Sequence, residues 1–132
     1  MATDRIDLRL PAQPDSIPRI RRAVVAFAVD HGYDDPHAVG LAVTEAATNA
    51  VLHAYVGGAA GDVRAVACAE EDALVVIVRD WGGGMGPRLD TPGLGLGLPT
   101  IATLASSFDV EAADGTGTLL RMHFSRIPTP AA

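Results

Sequence analysis

Val43-Thr44-Glu45-Ala46-Ala47-Thr48-Asn49-Ala50-Val51-Leu52-His53-Ala54-Tyr55 is the stretch on which the reading of this chain turns. Its polar members Glu45, Asn49 and His53 stand four residues apart, and at 3.6 residues per turn each such step rotates by only about 40°. An α-helix therefore projects all three from one stripe. Val43, Ala46, Ala47, Ala50, Val51 and Leu52 are expected to be largely buried around that stripe. An acid, an amide and an imidazole in a row beside an apolar wall suit the lining of a site. Taken alone, a solvated helix face is the commoner explanation of the same pattern.

The elements on either side set this helix in a fold. Ile6-Asp7-Leu8-Arg9-Leu10 alternates apolar and charged residues, which predicts a short strand with one buried face. Asp15 or Ser16 caps a first helix with Pro18 in its first turn, and Gly32 ends it near His31. Asp34-Asp35-Pro36 caps a second helix, about His37 to Tyr55, and Gly57-Gly58 breaks it. Asp62 to Ala69 and Ala73 to Asp80 predict a hairpin; the β-branched run Leu74-Val75-Val76-Ile77-Val78 marks its second strand as central. After a Gly/Pro-rich loop come a third helix at about Leu98 to Ser106 and an antiparallel pair, Phe108 to Ala113 and Thr118 to Ser125. The order β-α-α-β-β-α-β-β predicts an α+β fold, a mixed, mostly antiparallel sheet with helices on one face. A single domain over residues 1–132 is expected, with its core at about 6–125 and a loose tail at 126–132.

Composition excludes several function classes. The net charge of −6 argues against direct nucleic-acid binding through a broad basic surface. All ten basic residues are Arg, so neither a P-loop lysine nor a Schiff-base lysine exists. Cys68 is the one cysteine, which rules out an internal disulfide and a cysteine-based zinc site, and it reads as a small buried apolar group in a strand. Neither a secretion signal nor a membrane span is visible, so a cytoplasmic protein is expected. Arg19, Arg21 and Arg22 load the first helix with positive charge close to its unfavourable end, either as solvated surface or as a protein-contact patch.

Three further motifs follow the polar stripe. In Asp80-Trp81-Gly82-Gly83-Gly84-Met85-Gly86 a carboxylate closes the central strand, and glycines behind it let a ligand approach the backbone. An ionised carboxylate only accepts hydrogen bonds, so it suits an exocyclic amine such as adenine N6 and repels the O6 of guanine. A tight turn with Asp80 bonded to local N–H groups explains the motif equally well. Gly93-Leu94-Gly95-Leu96-Gly97-Leu98-Pro99 leads into a helix, and with no Lys in the chain such a glycine loop suits phosphate held by backbone N–H groups. Leu98 stands where a dinucleotide-binding G-x-G-x-x-G needs its last glycine. Gly115-Thr116-Gly117-Thr118 enters the last strand and by itself is a plain hairpin turn.

In this order, E-x-x-x-N-x-x-x-H-A, D-x-G-x-G-M, G-L-G-L-G-L and G-T-G-T resemble the N, G1, G2 and G3 boxes of the GHKL ATP-binding superfamily of gyrase, histidine kinases and MutL. The chain's length, the E-A-x-x-N-A form of the first box and the leading strand and helix are more specifically similar to the anti-sigma factor serine kinases of bacterial partner switching. The resemblance covers about Ile6 to Phe124. It implies the Bergerat fold, a two-layer α/β sandwich, with ATP and Mg²⁺ as cofactors. Carried over by position, it makes Glu45 the general base and Asn49 the Mg²⁺ ligand through its amide oxygen. Asp80 would bond the adenine amine, with Gly82, Gly84 and Met85 beside it and Thr118 assisting. Gly93, Leu94, Gly95, Leu96 and Gly97 would support the phosphates. His53 either approaches a phosphate or finishes the helix. Arg19 and Arg22 would contact a partner.

The implied function is that of an ATP-binding anti-sigma factor with serine kinase activity toward an anti-anti-sigma partner of the STAS type, the kinase itself a homodimer. The alternative is a nucleotide-sensing protein that sequesters a regulator without phosphoryl transfer. One departure bears on that choice. Only Gly86 to Pro92 remain for the lid, with Arg88 as its single cation, where family lids are often longer.

Overall fold

The computed structural model describes residues 4–54, 60–82, 98–112 and 117–125, with main chain only at 53, 54 and 98. Five strands, β1 (Arg5–Pro11), β2 (Asp62–Ala69), β3 (Ala73–Asp80), β4 (Ser107–Ala112) and β5 (Thr118–Ser125), form one sheet in the order β1-β2-β3-β5-β4. Every pairing is antiparallel. Helices α1 (Ser16–Asp30), α2 (Pro36–Asn49) and α3 (Leu98–Leu104) complete the expected α+β architecture. The apolar run of β3 occupies the central position of the sheet, as its β-branched sequence predicts.

Strand parity decides which side chains meet the helices. Leu74, Val76 and Val78 of β3 join Val63, Ala65 and Ala67 of β2 and Leu120, Met122 and Phe124 of β5 in the core beneath the helices. Ile20, Val24 and Phe27 of α1, Val39 and Val43 of α2 and Ile101 of α3 meet them there. Aromatics are sparse, so small residues set the layer spacing: Ala42, Ala46 and Ala47 of α2 are buried, and a Cβ on Gly40 would come within 2.9 Å of Val25 Cγ2.

The outer face of the sheet carries the other parity. Arg64 donates to Asp7 through Nε at 2.9 Å and through its terminal nitrogen, Arg9 Nε bonds Asp62 at 2.9 Å, and Arg121 bonds Glu111 at 3.3 Å. These pairs are exposed, so each contributes under about 1 kcal/mol. Cys68 shares this face and is half-buried, a correction to its reading as a buried apolar group. Cys68 pairs with Arg5 on the outer side of the sheet, away from the helix layer.

Two helix ends follow their sequence signals, while at the start of α1 Asp15 stands at the cap position without a side-chain capping bond and Ser16 is already helical, a correction to the expected cap. At the end of α1, Gly32 takes φ +75°, its N–H bonds Val29 O, and Tyr33 N–H reaches back to Ala28 O. That double return satisfies carbonyls a helix end otherwise leaves open. At the start of α2, Asp35 accepts from Ala38 N at 3.0 Å. Two boundaries differ from expectation. Ser106 N–H bonds His123 O of β5 at 2.7 Å, so α3 stops at Leu104 and β4 begins at Ser107. The second helix is α-helical only to Asn49 and continues as a π turn, Ala50–Ala54.

Candidate nucleotide site

The π turn alters the geometry of the polar stripe. Glu45 and Asn49 lie on α-helix and share a face, Glu45 half-buried and Asn49 only 6% exposed. His53 stands in the π turn, where the i→i+5 pattern adds a residue to each hydrogen-bonded loop and the 40° step no longer applies. Its side chain lies outside the described residues. Leu52 is 54% exposed, against the expectation of burial: helical spacing puts it on the outward side with Leu41 and Glu45, opposite buried Val43, Ala46, Ala47 and Ala50, and Val51 is half-buried. Upstream, Thr44 and Thr48 bond back through Oγ1 to Gly40 O and Thr44 O at 2.7 and 2.6 Å, contacts that loosen a helix locally. Single π turns are frequent at functional sites, and this one packs against β3.

At the other wall, the parity that buries Leu74, Val76 and Val78 also turns Asp80 under the helix layer, where it is 6% exposed. Its Oδ1 accepts from Gly82 N at 3.0 Å and from Thr118 N at 3.2 Å. Burial raises its carboxyl above the ordinary value; the Gly82 and Thr118 N–H groups and the nearby Arg79 charge oppose that rise. The residue before Thr118 brings this about. Gly117 has φ +104°, and a Cβ there would stand 1.9 Å from the Asp80 carbonyl oxygen. Backbone meets backbone at this point, and only glycine permits it.

Four polar or charged residues are buried among those described: Ser16, Asn49, Asp80 and Thr118. Three of them are residues that the sequence motifs singled out. Thr118 is 6% exposed, and its Oγ1 is buried without a hydrogen-bond partner among the described residues. A buried hydroxyl left open beside a buried carboxylate suits a ligand that carries both donor and acceptor groups. The Asn49 amide oxygen is a hard ligand of the type that could hold Mg²⁺, an ion that takes one or two protein ligands and keeps phosphate oxygens and waters for the rest. No cluster of three or more His, Cys, Asp or Glu able to hold a metal occurs among the described residues.

Sequence-wide comparison agrees with this geometry. The profile of the histidine kinase-like ATPase domain matches residues 10–124. The chain belongs to the histidine kinase-like ATPase domain family. It is 32% identical to the serine-protein kinase RsbW of Bacillus pumilus (strain SAFR-032) over 142 positions, covering 93% of this chain and 88% of that protein. To the serine-protein kinase RsbW of Bacillus licheniformis it is 34% identical over 133 positions, covering 86% and 82%. To that of Bacillus subtilis (strain 168) it is 41% identical over 81 positions, covering 60% and 51%. Membership of an ATPase domain family implies that the chain binds ATP.

For this family member the structure joins Asp80, Gly82 and Thr118 by direct hydrogen bonds, and it brings the π turn after Asn49 against β3. Gly84, Met85, Arg88 and the loop Gly93, Leu94, Gly95, Leu96 and Gly97 lie outside the described residues. Arg19 and Arg22 are exposed on α1, away from the core. In the sequence Gly117 was legible as a hairpin glycine and as part of the G-T-G-T motif; its contact with Asp80 depends on β3 and β5 being neighbours. No helix among the described residues is long and apolar enough to cross a membrane.

Proposed function

We propose that this protein is a serine protein kinase that uses Mg-ATP, binds a sigma factor and phosphorylates an anti-anti-sigma partner of the STAS type. The observation that carries the reading is the buried Asp80 carboxylate, fixed through Oδ1 by two backbone N–H groups with the open Thr118 hydroxyl beside it. Asp80 accepts the adenine amine and rejects guanine, and Thr118 completes contact with the ring edge. Gly82 and Gly84 let the base approach, with Met85 next to them. The backbone of Gly93, Leu94, Gly95, Leu96 and Gly97 supports the phosphates, and His53 lies at the end of the same helix as Asn49. Asn49 holds Mg²⁺, which neutralises phosphate charge in a chain with no Lys to do so.

ATP supplies the transferable phosphoryl group. Glu45, one turn ahead of Asn49, takes the proton of the substrate serine hydroxyl as that oxygen bonds to the γ-phosphorus and ADP departs. Partner contact falls on the helix layer. Arg19, Arg22 and Val29 follow one another at helical spacing on α1, and Val29 and Leu41 of α2 are among the few large apolar side chains left exposed, at 56% and 43%. Basic and apolar groups together suit an acidic amphipathic segment. The names of the RsbW relatives support the serine kinase reading, and a homodimer in the cytoplasm is part of the same proposal.

The test is transfer of radiolabelled γ-phosphate to candidate STAS partners by wild type and Glu45→Ala. Transfer by the wild type, lost in the variant while ATP still binds, supports the kinase. ATP binding and partner capture with no transfer by either protein favour a nucleotide-sensing sequestering protein instead, the reading to which the short segment Gly86–Pro92 lends weight.

A further inference from the structure

Trp81 directly follows Asp80, so the two side chains leave the strand on opposite sides: Asp80 turns toward the helices and Trp81 toward the outer face. There two guanidinium groups lie over the indole. Arg9 Cζ of β1 stands 3.9 Å from the ring centroid, and Arg79 Cζ of β3 stands 4.7 Å from it. Arg9 is itself anchored, its Nε bonding Asp62 of β2 at 2.9 Å. Three adjacent strands thus converge on one ring just outside the nucleotide site. On the inner side, the backbone of Gly117 lies against the same peptide: a Cβ there would be 2.7 Å from both Asp80 C and Trp81 Cα. The Asp80–Trp81 peptide is held from two directions, by β5 backbone within and by stacked cations without.

This arrangement has a reason in the registry of the sheet. Arg9 pairs with Arg64, and Arg64 pairs with Arg79, so three like charges stand side by side across β1, β2 and β3. Like charges directly opposite each other on a sheet destabilise it. An aromatic face draws two of those cations to itself, since the ring presents its negative quadrupole to them. The main chain that carries the adenine-reading carboxylate is one residue away and cannot shift without moving the ring.

We infer that the Arg9–Trp81–Arg79 stack is a positioning device for Asp80, one that sets the preference for a 6-aminopurine from the face of the sheet opposite the ligand. The inference rests on the nucleotide reading above. All three side chains lie on the outer face of the sheet, opposite Asp80, and act through the main chain there. An aromatic or cationic change on the outer face therefore alters base discrimination while leaving phosphate binding alone.

The experiment compares ATP with purine riboside triphosphate, which lacks the 6-amino group, by isothermal titration of wild type, Arg9→Ala, Arg9→Lys and Trp81→Leu. Hydrogen bonds to charged groups give the wild type a preference for ATP of about tenfold or more. Arg9→Ala and Trp81→Leu are expected to reduce that preference to about twofold through ATP alone, with the analogue's affinity unchanged; Arg9→Lys, which keeps a cation over the ring, retains most of it. Trp81 is the only tryptophan in the chain, so its emission in Arg9→Ala and Arg9→Lys reports directly whether the stack is lost or kept. Equal losses of both nucleotides, or wild-type discrimination in Arg9→Ala with an altered indole emission, would overturn the inference and leave the nucleotide reading intact. A wild type that binds neither nucleotide would overturn both.

Discussion

Gly117→Ala tests the proposed nucleotide site at its tightest contact, and Gly32→Ala is its internal reference. Both glycines have positive φ, +104° and +75°. A Cβ on Gly32 meets nothing within 4 Å, whereas one on Gly117 would lie 1.9 Å from the Asp80 carbonyl oxygen. A side chain in left-handed backbone costs about 1–2 kcal/mol, and Gly32→Ala carries that cost alone. Gly117→Ala adds a clash. Real Cβ atoms essentially never come within 3.0 Å of such a neighbour, so β3 and β5 have to separate at this point by more than an ångström. Overpacking of that kind typically costs about 1–3 kcal/mol, for a total of about 2–5 kcal/mol. Thr118 N already sits 3.2 Å from Asp80 Oδ1, so the separation breaks that bond and moves the carboxylate. A hydrogen bond to a charged group is worth about 1.5–3 kcal/mol, so its loss is expected to weaken ATP binding by about 10- to 150-fold. Urea melts with unchanged slope measure the first effect, and ATP titration calorimetry measures the second. Gly117→Ala with the same midpoint and the same ATP affinity as Gly32→Ala would refute the close approach of Gly117 to Asp80.

With Asp80 as the proposed adenine contact, stability and ATP affinity are expected to run in opposite directions with pH. Its carboxyl is raised above 3.8 by burial, so the folded state keeps its proton to higher pH than the unfolded chain does. Stability therefore declines as pH rises from about 3.8 through the raised value, while ATP affinity grows as the carboxylate forms. Asp80→Asn is expected to remove both slopes, read by urea melts and ATP titrations from acid to neutral pH, and to weaken the preference for ATP over GTP. Asp7 behaves in the reverse sense: its bond to Arg64 comes first among the causes that hold its carboxyl down to about 2, with Arg5 adding to it. The stabilisation from Asp7 is complete above the ordinary value and disappears as pH falls through about 2. The pair is solvent-exposed, so Asp7→Asn is expected to lower stability at neutral pH by less than about 1 kcal/mol, and a larger loss in urea melts contradicts this. Glu45→Ala is expected to slow phosphoryl transfer by about 10²–10⁴-fold, measured in single turnover, with ATP affinity retained.

The amino-acid sequence by itself determined the elements and their order, because the signals are local. Period-two alternation in Ile6–Leu10, the β-branched run in Leu74–Val78, the Asp35 cap and the Gly32 stop each act within a few residues, and the structure repeats them almost to the residue. Motif order likewise identified the family. Tertiary structure decided the rest. The helix changed pitch after Asn49, Cys68 fell on the outer face, and β5 became the neighbour of β3. That adjacency placed Gly117 and Thr118 on Asp80, residues 38 positions apart in the chain for the Thr118–Asp80 bond. The β1-β2-β3 order likewise set Arg9 beside Arg79 over Trp81. Such contacts depend on which strands lie side by side, and strand adjacency follows from burying the whole apolar surface at once, a condition that no single stretch of sequence contains.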